Sequence, residues 1–209
     1  MIEISASELI QLFEGRFRTL VETEWSSWRD AYVEHARTVQ EADEDTWSRP
    51  RFQQLLWDDA SISSIGPGQS VTLVDAYDDA ELAGLLFRAR DTLDGLPLDR
   101  RGAELDDLYR TVLARVHPRY APRRPKARIT RLFAAMFPTD MTCLMDAPRV
   151  FAVQRKLGVQ RLAGDFMALH PAIKEKLRDV LGKTSDLRGE VEQSMFAWFV
   201  WEEIANRPD

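Results

Sequence analysis

The sequence predicts a mainly α-helical fold, an irregular multi-helix domain with at most one short β-hairpin, on three observations. Apolar residues recur at steps of three, four and seven through most of the chain, the spacing of one helical face. Helix start and stop signals fall at the ends of those periodic stretches. Only Ser70-Val-Thr-Leu-Val is β-prone, and the turn chemistry of Gly66-Pro-Gly before it confines any hairpin to about residues 68–76.

Ser5 followed by Glu8 is a capping-box pair. It opens a long amphipathic helix carrying Leu9, Phe13, Phe17, Leu20, Val21, Trp28 and Tyr32, which runs to about residue 40. The polar stretch from Glu41 to Asp45 ends it. Pro50 suits the first turn of a short helix bearing Phe52, Leu55, Leu56 and Trp57. After the loop at 58–77, Asp78 with Glu81 forms an N-cap pattern for a helix bearing Leu82, Leu85, Leu86 and Phe87. A further helix covers about 103–116, with Leu105, Leu108, Val112 and Val116 facing inward, and His117-Pro118 stops it.

Pro118, Pro122 and Pro125 make residues 119–126 an extended link. The next helix runs from Pro125 to Phe137, with Ile129, Leu132, Phe133 and Met136 apolar and Arg124, Arg128 and Arg131 expected on the outer face. Asp146 and Pro148 begin another, closed by Gly158. Helices at about 160–169 and 171–181 follow, the second opened by Pro171 and closed by Gly182. The last spans about 186–205. Residues 1–209 read as one helical domain of about eight helices, with a sub-boundary, if there is one, near 118–125.

Composition narrows the class. A hydrophobic fraction of 44% and a charged fraction of 30% belong to a globular chain rather than a disordered one. The single cysteine, Cys143, excludes an internal disulfide framework and suits a reducing compartment. No apolar run approaches the ~20 residues that span a bilayer, and the N-terminus lacks a signal-peptide pattern, so a cytoplasmic protein without a membrane partner is expected.

Charge is unevenly placed. Residues 1–60 hold 13 acidic against 6 basic residues, and residues 61–107 hold 10 against 4. Between Asp107 and Asp140 there is no acidic residue, yet Arg110, Arg115, Arg119, Arg123, Arg124, Lys126, Arg128 and Arg131 all fall there. The net charge of −6 already serves solubility, so a cationic island is expected to meet something negative. Nucleic acid, DNA above all, is the expected partner, gripped at its phosphates by Arg119, Arg123, Arg124, Lys126, Arg128 and Arg131. The same arginines would also suit ion pairing with the acidic first half of the fold, and sequence leaves both open.

Aromatic residues form a second candidate. Phe196, Trp198, Phe199 and Trp201 crowd one helix, and Trp25 with Trp28 repeats the three-residue spacing of Trp198 with Trp201. Trp198, Phe199 and Trp201 fit base stacking or protein docking; burial on several sides is the commoner fate of such residues.

Catalytic signatures are missing. His35, His117 and His170 share no metal-ligand spacing, and neither Asp58-Asp59 nor Asp106-Asp107 is followed by a nuclease-type E-x-K pattern. There is no phosphate-binding G-x-x-x-x-G-K-[ST] and no G-x-S-x-G. Neither an enzyme nor a cofactor or metal is expected.

Three stretches taken together resemble a known family: Arg51-Phe-Gln-Gln-Leu-Leu-Trp with Ile65-Gly-Pro-Gly-Gln, the run from Arg124 to Thr142, and Phe196-Ala-Trp-Phe-Val-Trp. They are similar to the helical region that precedes the motor in McrB-type AAA+ proteins, the nucleotide-driven subunits of modification-dependent restriction systems. The resemblance covers about residue 50 to the end. It implies a targeting or assembly region of an antiviral restriction system, with an AAA+ motor domain or partner subunit as its second partner. Without a nucleotide-binding motif the chain is not the motor, and is expected to be an isolated N-terminal part or a stand-alone relative. The competing expectation is a protein–protein docking module that joins a motor or partner subunit.

Overall fold

Helix signals in the sequence set most of the architecture, and tertiary contacts move a few of the ends. The computed structural model describes residues 3–62, 71, 73–160 and 166–205. The described residues are mainly helical and contain no strand. Residues 68–70 and 72 of the region expected for a hairpin lie outside the described residues, and within it Val74–Ala76 forms a 3-10 turn.

Helix α1 (Ala6–Leu12) opens with the expected capping box: Ser5 accepts from the Glu8 amide, and the Glu8 carboxylate reaches back to the Ser5 amide at 2.9 Å. The long first helix is interrupted twice. Phe13–Phe17 forms a π-helical turn, which brings residues four apart nearly into line and stacks Phe13 on Phe17 at 5.3 Å. After α2 (Arg18–Thr23) the Glu24 and Trp25 amides both bond to the Leu20 carbonyl, pinching the helix off. The chain restarts as α3 (Ser26–Glu41). Periodicity alone does not show this break, because both rods keep apolar residues at helical spacing.

Asp43 caps the short α4 (Glu44–Trp47), and α5 (Pro50–Asp58) has its proline in the first turn. The cap of α6 (Ala80–Ala89) is Asp79, one residue beyond the expected Asp78. Asp79 accepts from the Leu82 amide and is also held by Arg115, so a long-range partner selects between adjacent aspartates. Helix α7 (Leu98–Val116) begins earlier than expected and ends at His117.

After the proline-rich link comes α8 (Lys126–Met136), with nine of its eleven residues buried. It packs between α3, α5 and α7, so both of its sides are covered. Helix α9 (Ala147–Lys156) is capped by Asp146, and Gly158 follows it at φ +64. Residues 161–165, part of another expected helix, lie outside the described residues. Phe166–Ala168 is a 3-10 turn leading into α10 (Leu169–Leu181), which ends at Gly182 with φ +93. Such a backbone angle costs glycine little and other residues more. Helix α11 (Leu187–Val200) continues into a π-helical turn, Trp201–Ala205.

Buried side chains from both sides of the proline-rich link form one contiguous core. Phe13 and Phe17 of the first π turn meet Phe196 at 5.1 Å edge-on, and Phe17 meets Phe199 at 5.7 Å. No helix among the described residues is long and apolar enough to cross a membrane.

Candidate nucleic-acid interface

The eight-cation segment separates into residues that serve the fold and residues that face water. Arg131 is 2% exposed, which corrects its expected place on an outer face. Its guanidinium donates to the Asp59 carbonyl at 2.6 Å, just beyond the end of α5. Burial and the neighbouring Arg128 lower its pKa. Arg128 is mostly covered as well and bonds to the Trp57 carbonyl and the Asp58 carboxylate. Carbonyls and carboxylates at a helix C-terminus are natural partners for guanidinium groups. These two arginines therefore fasten α8 to the end of α5, and neither is free to grip an external phosphate.

Asp58 and Asp59, weighed above as a metal pair, belong to the same knot. Asp58 also accepts from the Tyr77 hydroxyl. Asp59 accepts from the Ser61 amide at 2.6 Å and lies 3.7 Å from His35 Nδ1. Burial pushes the Asp59 pKa up, but Ser61, His35 and Arg131 together leave it lowered. Burial lowers the His35 pKa, against the opposing pull of Asp59.

At the other end of the segment, Arg110 pairs with Asp106 and Asp107, both at 2.8 Å. Arg115 bonds to Asp79 and Glu81, each at 2.7 Å. The Arg115 bond holds the Asp79 carboxyl well below the usual carboxylate range. Four of the eight cations are thus matched within the fold.

Arg119, Arg123, Arg124 and Lys126 are different. All four are exposed, and among the described residues none is paired with a carboxylate. Arg119 lies over the Tyr120 ring at 5.0 Å, and the Tyr120 hydroxyl is tied to Asp79 at 2.9 Å. Ala121 and Pro125 are buried and anchor the link, leaving its arginines outward. Pro125 supplies no side-chain cap to α8, so Lys126 sits at an uncapped, positively polarised helix end.

The aromatic candidate resolves into core and rim. Phe196 and Phe199 are fully buried, so Phe199 is not available to stack a base. Trp198 and Trp201 are half-buried and meet at 5.0 Å. Trp28 approaches Trp198 at 6.4 Å and Trp25 at 5.1 Å, joining the two tryptophan pairs into one row. Arg149 covers Trp201 at 4.4 Å and Trp198 at 5.3 Å. The matching spacing of the pairs was visible in sequence, but Arg149 was not picked out.

Sequence reasoning also missed Lys174, which is fully buried. Its spacing from His170 and Leu177 on the inner face of α10 was the available signal. Nζ lies 2.7 Å from the Glu190 carboxylate and 3.3 Å from Ser194 Oγ. Burial pulls its pKa down to about 8, against the opposing pull of Glu190. Beside it a cleft of about 430 Å³ is lined by Arg101, Thr139, Asp140, Glu175, Arg178 and Glu190 among others. Arg101 meets Asp140 at 2.5 Å, and Arg178 meets Glu175 at 3.1 Å. These charges are matched to one another, so the cleft offers an incoming ion little net attraction. Among the described residues no group of three His, Cys, Asp or Glu side chains could hold a metal.

No family model, curated protein or solved structure matches this chain. The described residues of the three stretches singled out in the sequence contribute to the core through Leu56, Trp57, Phe133, Phe196 and Phe199.

Proposed function

We propose that this chain is a nucleic-acid-binding module that grips the phosphate backbone through Arg119, Arg123, Arg124 and Lys126. The observation that carries the reading is their exposure without carboxylate partners among the described residues, beside four segment cations that the fold does use. Lone surface arginines have little reason to cluster in a protein of net charge −6. The resemblance to McrB-type proteins supplies a context: a targeting module of a restriction system, presenting nucleic acid to an AAA+ motor.

Fluorescence anisotropy on labelled duplex DNA tests the proposal. Four phosphate contacts give a log–log salt slope of about −3.6 on a duplex. Replacing all four cations with Glu is expected to abolish binding at 50 mM salt, with the near-ultraviolet circular dichroism unchanged. A matched reversal of the exposed Arg37, Arg88, Arg100 and Arg188 is expected to retain most of it. Equal affinity in the two quadruple variants overturns the reading.

A further inference from the structure

We infer that the basic link recognises backbone charge and does not read base sequence, an inference that rests on the nucleic-acid reading above. A helix reads bases by lying in the major groove, about 12 Å wide, and a helix with its side chains is about 10–12 Å across. Entry therefore requires a helix that projects from the fold with an open face.

Helix α8 follows the link directly but does not project. Ala127 and Ile129 through Met136 are buried, and α3, α5 and α7 pack around it. Its two internal arginines, the side chains that would otherwise reach guanine edges, are turned to the end of α5. What remains outside is a proline-punctuated strip and the first helical residue. The strip spans at most roughly 23 Å from Arg119 to Lys126 if fully extended, about seven base pairs of rise. Arg119, Arg123, Arg124 and Lys126 carry charge to a phosphate line but have no rigid helical frame aimed at base edges.

One flank of the strip also opposes nucleic acid. Asp75, Asp78 and Glu81 are exposed and line a cleft of about 540 Å³ with Arg115 and Arg119. Like-charge repulsion there turns the phosphate path away from α6 and along the Arg123–Lys126 side. The acidic flank orients the backbone, and base identity plays no part in that.

The test uses the full chain and a panel of labelled 24-base-pair duplexes: AT-rich, GC-rich, mixed, and a cytosine-methylated copy of the mixed sequence. We expect dissociation constants within 3-fold of one another at 50 mM salt. Each should weaken by about 150-fold at 200 mM, as four phosphate contacts require. The four-Glu link variant should lose every member of the panel alike. A preference of 10-fold or more for one sequence, or for the methylated copy, overturns this inference and leaves the phosphate-binding reading standing. Failure of every duplex to bind overturns both.

Discussion

Arg124 and Arg131 lie seven residues apart, a spacing that places two residues on nearly the same face of a continuous helix, yet Arg124 is in water and Arg131 is 2% exposed. Two facts explain the difference. Arg124 precedes the first turn of α8, and Pro125, at ψ +49, breaks the helical phase between them. Within α8, moreover, neighbouring helices cover the side opposite Ile129 and Phe133 as well. An amphipathic pattern identifies the more polar side of a helix, and that side is solvent only if nothing packs there. Here the polar side meets the end of α5, whose terminal carbonyls and aspartates can satisfy arginines.

The most forceful way to break this comparison is to remove the buried member. Arg131→Ala leaves a void and takes the bond from the Asp59 carbonyl, so we expect a loss of about 3 kcal/mol in urea denaturation. For a domain of this size that corresponds to a fall of roughly 6–12 °C in Tm. A loss under about 1 kcal/mol would show that Arg131 does little for the fold. Arg128→Ala is the milder version, because its pair with Asp58 is partly solvated. A cost of about 1–2 kcal/mol is expected, much reduced when Asp58→Asn is already present, since the two changes remove one shared interaction.

The same contrast shows what could be read from the sequence. Caps at Ser5 and Asp146, the proline start of α5 and the glycine ends at 158 and 182 are local chemistry, and the structure places them as those signals require, while the caps at Asp43 and Asp186 were not singled out. The choice of Asp79 over Asp78 goes with a distant partner, Arg115, and the break at Glu24–Trp25, where two amides share the Leu20 carbonyl, leaves the apolar periodicity intact. The basic island was visible as charge. Its division was not, because which arginines meet a carboxylate is set by how α5, α6 and α7 pack. Arg115 finds Asp79 across 36 residues and Arg128 finds Asp58 across 70.

The Asp79–Arg115 pair sharpens the comparison through pH. Arg115 holds the Asp79 carboxyl below its ordinary value, so the folded chain keeps it ionised where the unfolded chain would protonate it. The resulting stabilisation is fully present above the unfolded pKa, about 3.9, and is lost as pH falls below it. At pH 6, Asp79→Ala should cost about 1 kcal/mol from the lost cap alone. The gap between this variant and the parent should narrow when denaturation is repeated at pH 2.5. A gap that does not change with pH would mean that Arg115 does not contribute through the charge of Asp79, leaving Glu81 as its working partner.

The smallest expected effect concerns the exposed group itself. Arg123→Gln, Arg124→Gln and Lys126→Gln should each change stability by no more than about 0.5 kcal/mol, the usual range for surface sites away from caps and buried contacts. The link does not depend on those side chains for its shape. Pro118, Pro122 and Pro125 restrict its backbone, the Tyr120 amide bonds to the Val116 carbonyl at 2.8 Å, and Ala121 is fully buried. Arg119 is set apart because its contact with the Tyr120 ring adds a local term of roughly 0.5–1 kcal/mol. The triple Gln variant should therefore unfold at nearly the parent urea midpoint while binding duplex DNA far more weakly. If it instead loses more than about 2 kcal/mol, the link cations are holding the fold together as Arg131 does, and exposure no longer separates the two groups.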